Sequence, residues 1–236
     1  MAKPPATQAA NAARLDRENG NDAIYQAIYV RILEHRLPPG TKLGEDWLAT
    51  IFDVSRARIR EVLSRLAHEQ VVDLVPQRGA FVAKPTIQHA TDVFETRRLI
   101  EPAIVARLID HLTPETVNRL RQHQELELDA RRRDDKQATV RLSGEFHVLV
   151  AELAGNSALA RTMREMSTLT CLIISLYDAP TSDTCRADEH TQIIDAIAKR
   201  DTARAQKLML HHLNHIEKNL KLDSDTAEID LEALFG

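Results

Sequence analysis

From Ala23 onward, apolar residues recur every three or four positions through most of the chain, the spacing of helices with one buried face. The first such stretch, Ala23–His35, turns Ile24, Ala27, Ile28 and Leu33 to one side. Asn21 and Asp22 are placed to cap it, and Leu37, Pro38, Pro39 and Gly40 end it. A short run (Leu48, Ala49, Ile51, Phe52) then breaks at Asp53. A second run opens at Ser55, a good N-cap, and carries Ile59, Val62, Leu63 and Leu66 at helical spacing. Two helices joined by so short a turn cross steeply, as in a helix-turn-helix. Beyond them the period shortens. Val71–Val75 and Ala80–Ala83 read as two strands around Pro76, Gln77, Arg78 and Gly79, a hairpin with an arginine at its tip. Residues 21–84 therefore spell a winged helix-turn-helix.

Lys84, Pro85 and Thr86 form a linker, since Pro85 stops the strand and Thr86 can cap the next helix. From Ile87 the pattern is helical to Leu222. The predicted helices are Ile87–His111, Pro114–Arg133, Gln137–Ala154, Ser157–Tyr177, Ser182–Arg200 and Thr202–Lys221. Thr113-Pro114, Asp134-Asp135, Gly155-Asn156, Ala179-Pro180 and Asp201 separate them. The fold class is mainly α, an N-terminal winged helix-turn-helix followed by an all-α six-helix bundle over 87–222. Residues 1–20, rich in Ala, Pro, Asn and Gln, read as a disordered arm, although Arg14 and Arg17 could touch a groove. Residues 223–236 form an acidic tail with a small apolar patch, either disordered or a short docking helix.

Composition sharpens this picture in a few places. Aromatics are only 4% and glycines only seven, so Leu, Ala and Ile supply the apolar mass, which favours helix bundles over sheets. The net charge of −4 does not exclude a nucleic-acid partner, because basic groups need only be local. Cys171 and Cys185 make no disulfide framework and read as reduced thiols of a cytoplasmic protein. No apolar run approaches twenty residues and no signal peptide precedes the first helix, so no membrane partner is expected.

Two groups of residues carry candidate chemistry. The second helix of the helix-turn-helix opens with Arg56, Arg58 and Arg60, of which Arg56 and Arg60 share a face away from the packed one. Arginines there can fork onto guanine or onto phosphates, with Arg78 and Gly79 of the wing beside them; a merely solvated charged face is the alternative. In the second domain three histidines fall on inward stripes of three different helices. His147 lies with Val140, Ser143, Val150 and Ala154; His190 with Ile193, Ile194 and Ile197; His212 within Ala205, Leu208, Met209, Leu213, Ile216 and Leu220. Three converging imidazoles would hold a divalent transition metal, whereas singly each is a hydrogen-bonded core histidine. Arg97 falls on the stripe Val93, Ile100, Ile104, Leu108, with Glu101 one turn on. Its fork suits a small carboxylate, the alternative being a structural ion pair with Glu101. Asn156 caps the helix after it or touches the same ligand. No His-Glu-x-x-His run, phosphate loop or nucleophile elbow occurs.

Over about sixty residues the first domain resembles the DNA-binding domain of the GntR family of bacterial transcription regulators. The matching residues are Leu37, Pro38, Pro39, Gly40, Thr41, Lys42, Leu43, Glu45, Leu48, Ala49, Val54, Ser55, Arg56, Ile59, Arg60, Glu61, Val62, Leu63, Arg65, Leu66 and Arg78, Gly79, Ala80, Phe81, Val82. The chain departs at Arg58, usually Pro, at Gln70, usually Gly, and at Asp46, where one branch has a DNA-contacting Arg. Residues 87–222 resemble the FCD ligand-binding domain of the FadR-type branch, through Glu95, Thr96, Arg97, Glu101, Phe146, His147, Ala154, Gly155, Asn156, Leu159, Glu189, His190, Ile194, Ala196, Ile197, Asp201, Ala205, Met209, His212 and Leu213. Six helices resemble the VanR-like subgroup. The resemblance implies that His147, His190 and His212 bind a metal, zinc or nickel by affinity order. A carboxylate four residues before the first histidine usually completes the set; Ser143 stands there and leaves a position for an effector oxygen. It implies a homodimeric repressor on double-stranded, palindromic operator DNA. Its Ser55, Arg56, Arg58, Arg60, Arg78 and Gly79 would face the DNA. Arg97, Ser143 and Asn156 would face a small carboxylate effector. A metal-dependent enzyme with an appended DNA-binding module is the alternative, and a constitutive architectural DNA-binding protein a third reading.

Overall fold

The computed structural model describes the backbone of residues 6–177 and 187–222, with side chains from Gly20. It divides into two compact units, Met1–Lys84 and Pro85–Gly236. No helix among the described residues is long and apolar enough to cross a membrane. The acidic tail, Cys185 and the break at Ala179-Pro180 lie outside the described residues.

In the first unit α1 (Ala6–Leu33) is followed by β1 (Lys42–Leu43), α2 (Glu45–Phe52), α3 (Arg56–His68), β2 (Val72–Val75) and β3 (Gly79–Val82). The short run 48–52 ends where Asp53 turns left-handed at φ 50°. Ser55 then starts α3, its hydroxyl accepting the Arg58 amide at 3.4 Å. Ile59, Val62, Leu63 and Leu66 are all buried, with Ile24, Tyr25, Ile28 and Ile32 of α1 in the same core. The wing is antiparallel, with Val72 opposite Val82 and Val75 opposite Gly79. Its turn has Pro76 followed by Gln77 at φ 62°, the Arg78 amide returning to the Val75 carbonyl at 3.0 Å.

Two features of this unit differ from the periodicity reading. The first helix starts at Ala6 rather than Ala23, so the backbone expected as a disordered arm is helical from that point. Ala-rich sequence propagates helix well, and Asn21 and Asp22 do not cap. Their side chains instead accept hydrogen bonds from Arg58 and Arg65 of α3. The second feature is β1, a two-residue strand that joins the wing by pairing Lys42 with Phe81 and Leu43 with Ala80, giving sheet order β1-β3-β2. Two residues are too few to show a period.

The second unit is built of α4 (Ile87–Asp110), α5 (Pro114–Arg132), α6 (Lys136–Leu153), α7 (Ser157–Tyr177), α8 (Ala187–Ala198) and α9 (Thr202–Asn219). The breaks are chemical. Thr86, Thr113, Asp135, Asn156 and Asp201 each accept a backbone amide of the following helix, at 3.0–3.2 Å. Asp134, Gly155 and Arg200, each just before a cap, take positive φ to turn the chain out of the preceding helix. Helix α4 packs on α6, α7 and α9, and α5 packs on α6 and α8.

Two apolar clusters fill the bundle. One joins Ile104, Val105 and Leu108 of α4 to Phe146 and Val150 of α6, Met163 of α7, Ile193, Ile194 and Ile197 of α8 and Met209 and Leu213 of α9. The other joins Ala90, Val93 and Phe94 of α4 to Leu169, Ile173 and Tyr177 of α7 and Ile216 and Leu220 of α9. Between them on α4 sit Arg97 and Glu101, both buried. The same change of character occurs on α7 at Ser167 and Thr170 and on α9 at His212, so a polar layer interrupts the core.

Candidate functional site: a buried histidine triad and a basic recognition helix

The polar layer contains all three inward histidines. His212 is fully buried, and His190 and His147 are 2% and 3% exposed. Nε2 of His212 lies 3.2 Å from Nε2 of His147 and 3.1 Å from Nε2 of His190. The opposite nitrogen of each ring meets a carboxylate. Nδ1 of His147 is 2.6 Å from Glu101, Nδ1 of His190 is 2.8 Å from Glu127, and Nδ1 of His212 is 2.7 Å from Glu189. Phe146 stacks on the His190 ring at 4.0 Å between centroids and fixes its tilt.

These contacts settle the tautomers. Burial by itself would raise the carboxyl of Glu101, but Arg97 and His147 hold it at about 2. Glu127 is likewise held at about 2 against burial, by His190 and His123. An ionised carboxylate only accepts, so each Nδ1 donates its proton. Burial pushes His147 down to about 4 and His212 down to about 3, against the pull of Glu101 and Glu189. Both rings are neutral near pH 7, and their Nε2 atoms present lone pairs. The lone pairs of His147 and His212 face one another at 3.2 Å, with Nε2 of His190 3.1 Å from the same His212 atom, an arrangement that a cation held among the three would stabilise. Imidazoles oriented by carboxylates are the usual surroundings of a bound transition metal, and the donor set fits one.

Arg97 is 1% exposed. Its Nε donates to Glu101 at 2.6 Å and its Nη1 to the Thr170 hydroxyl at 3.0 Å. The expected Arg97–Glu101 ion pair is thus present, and Glu101 bridges Arg97 to His147. The pair does not use up the guanidinium, because Nη2 is buried with no partner. Ser143 is buried on α6, one turn before His147. Asn156 accepts the amides of Ala158 and Leu159 at 3.0 and 3.2 Å and so serves as the cap of α7.

Periodicity located the histidines but missed their carboxylates. Glu127 was detectable, because Leu120, Gln124, Glu127 and Ala130 form a buried stripe with two polar members. Glu189 gave no such signal; it neighbours His190 in sequence, yet it serves His212 on another helix.

In the first unit Arg56 and Arg60 project from α3 with side chains 64% exposed. Arg60 Nε is 2.6 Å from Glu45, and Arg56 pairs with Asp46, both carboxylates belonging to the first turn of α2. Arg58 turns the other way and donates to Asn21, its guanidinium lying over Gly20 of α1. Arg78 stands on the wing over the Phe81 ring, 5.6 Å from the centroid, and Gly79 holds φ 98° beside it. A helix-turn-helix with exposed arginines at the start of its second helix and a basic wing is a DNA-reading surface. The fold defines a DNA-binding transcription regulator.

Comparison with known proteins gives the family. Residues 21–82 match the bacterial regulatory proteins of the gntR family, and residues 92–215 match the FCD domain. The chain belongs to the GntR family of regulators that carry an FCD domain. It is 25% identical over 205 residues to the HTH-type transcriptional repressor RspR of Escherichia coli K12, covering 85% of this chain and 89% of that protein. It is 25% identical over 226 residues to the repressor NanR of Salmonella newport, covering 86% and 85%. A GntR regulator from Rhodococcus sp. RHA1 shares the fold with a TM-score of 0.73 at 23% identity, over 84% of this chain and 95% of that one. E. coli McbR/YncC does so at 0.73 and 15% identity, over the same shares. These relatives are transcription regulators, not enzymes, which sets the enzyme alternative aside.

Proposed function

We propose that the chain is a cytoplasmic repressor of the VanR-like subgroup. It binds a palindromic operator as a homodimer and is switched by a small carboxylate at a metal held by His147, His190 and His212. The carrying observation is the triad itself, three Nε2 atoms turned inward with every Nδ1 on a carboxylate. Zinc or nickel suits three imidazoles best, and the bound ion supplies a Lewis acid for a ligand oxygen. Ser143 stands where a fourth protein ligand would carry its carboxylate, so an effector carboxylate takes that position. Arg97 Nη2, a buried donor without a partner, supports a negative group nearby. Asn156 has a complete role as a cap and adds little to effector binding. Ser55, Arg56, Arg60, Arg78 and Gly79 form the DNA face, whereas Arg58, engaged by Asn21, supports it from behind. A ligand switches the dimer only if it prefers one arrangement of its helices. Glu101 supports such a link, since on α4, which begins five residues after the wing, it joins Arg97 to His147 of α6.

The test uses zinc-loaded protein, an operator selected from random duplexes, and a panel of small mono- and dicarboxylates scored for DNA release. Arg97→Ala should keep operator binding and lose release, and His212→Ala should lose both metal and release. Release by the Arg97→Ala protein at the wild-type effector concentration would refute the bridge. A sedimentation experiment showing a monomer at micromolar concentration, with and without operator, would refute the dimer.

A further inference from the structure

Tyr177 is the last residue of α7, and both its side chain and its main chain are engaged away from that helix. Its hydroxyl donates to the Pro85 carbonyl at 2.9 Å, in a buried contact. Its own carbonyl accepts the amide of Lys221, just beyond α9, at 2.8 Å. Pro85 is the first residue of the bundle unit and directly follows Lys84, the last of the DNA-reading unit. Its carbonyl precedes the cap of α4 and stays outside the helix ladder, whose first bond runs from the Ala90 amide to the Thr86 carbonyl. On the other side of Lys84, the Ala83 amide donates to the Val71 carbonyl, just before β2. Only Lys84 therefore stands between backbone anchored at the wing and backbone anchored to Tyr177. With φ of Pro85 fixed by its ring, little slack remains between the two anchors.

Packing does not ask for the hydroxyl. Tyr177 belongs to the apolar cluster that holds Ala90, Val93, Phe94, Ile173 and Ile216, where phenylalanine would fill the same space. The hydroxyl instead ties the start of α4 to two helices that carry the polar layer. Thr170, which accepts from Arg97 Nη1, lies about two turns before Tyr177 on the same face of α7. Lys221 follows α9, the helix of His212.

We propose that Tyr177 is a positioning residue that couples the histidine triad to the DNA-reading unit, acting through the Pro85 carbonyl. The inference rests on the reading of the triad as a metal site. An ion that draws the three rings together bears on α9 directly, through His212. It bears on α7 through His147, Glu101, Arg97 and Thr170, which are hydrogen-bonded in that order. Both routes end at Tyr177. The ion moves the linker only as far as it prefers one arrangement of these helices over another. Such coupling is reciprocal, so the factor by which zinc changes operator affinity equals the factor by which operator changes zinc affinity.

The experiment measures both factors at one salt concentration, on the full chain, for wild type and Tyr177→Phe. Operator is titrated with zinc-free and zinc-loaded protein, and zinc is titrated against an indicator with and without operator. Wild type should give the same factor in both titrations, at least about fivefold. Tyr177→Phe should bind zinc alone as tightly as wild type, and its operator affinity should no longer depend on zinc. A merely structural hydroxyl would lower the thermal melt and leave the factor at its wild-type value, and that result overturns the assignment. Wild type that binds zinc without any change in operator affinity overturns it too, with the metal reading intact. No zinc bound by wild type removes the metal reading and this inference with it. Should Tyr177→Phe not fold, hydrogen exchange on wild type decides, at the His89 and Ala90 amides that bond to Thr86. Their exchange should change on adding zinc, and unchanged exchange overturns the proposal.

Discussion

Glu127→Gln is the sharpest test of the triad as a metal site. Glu127 acts on the site only through a histidine; its carboxylate holds Nδ1 of His190 at 2.8 and 3.1 Å and lies 3.4 Å from Nε2 of His123. The amide keeps the shape and one acceptor oxygen but removes the charge that makes His190 a stronger donor through Nε2. Losing such a partner costs metal affinity by about 10- to 100-fold, which is about 1.4–2.7 kcal/mol. The choice of carboxylate matters. Glu101 also neutralises Arg97, which is 1% exposed. Glu101→Gln would strand a buried guanidinium, at about 3–5 kcal/mol of folding stability, and confuse lost metal with lost fold. The partners of Glu127 are imidazoles that can be neutral, so Glu127→Gln strands no permanent charge. Competition titration with a zinc indicator, at fixed pH and beside a thermal melt of the metal-free protein, gives the dissociation constant. We expect a cooperative melt at a lower temperature than wild type, because the low Glu127 carboxyl stabilises the fold near pH 7, and zinc bound about 10- to 100-fold more weakly. Zinc affinity within about twofold of wild type, with the fold intact, would refute the reading of the carboxylates as orienting groups.

Two predictions concern DNA. Arg60→Ala should weaken operator binding by about 1–3 kcal/mol if Arg60 reads a base edge, measured at one fixed salt concentration; an unchanged affinity for both Arg60→Ala and Arg56→Ala would remove them from the interface. The acidic first turn of α2 pairs with both arginines, so each contact with a phosphate must displace a carboxylate. The double variant Glu45→Gln, Asp46→Asn should therefore bind random duplex more tightly than wild type, with a salt slope steeper by about 0.9 for each phosphate newly engaged; tighter binding with an unchanged slope would argue against that competition.

Most of the architecture could be read from local pattern, because local forces set it. Five of the bundle helices begin at residues that cap, Thr86, Thr113, Asp135, Asn156 and Asp201. The buried face of α3 follows from its period, and His147, His190 and His212 were recognisable as polar rings on inward stripes. The start of α1 was not, since Ala-rich sequence carries helix without an amphipathic signal, and Asn21 and Asp22, which look like caps, are bound to α3 instead. Periodicity fixes the direction of a side chain from its own helix axis, and says nothing of which other helix it meets or at what height. Only packing could bring Nε2 of His212 to 3.1–3.2 Å from those of His147 and His190, give each Nδ1 its own carboxylate, and send Arg58 away from the face of Arg56 and Arg60. The same holds for the donors left over. Whether Arg97 Nη2 and Ser167 are satisfied depends on every neighbouring helix at once, and that count exists only in the folded chain.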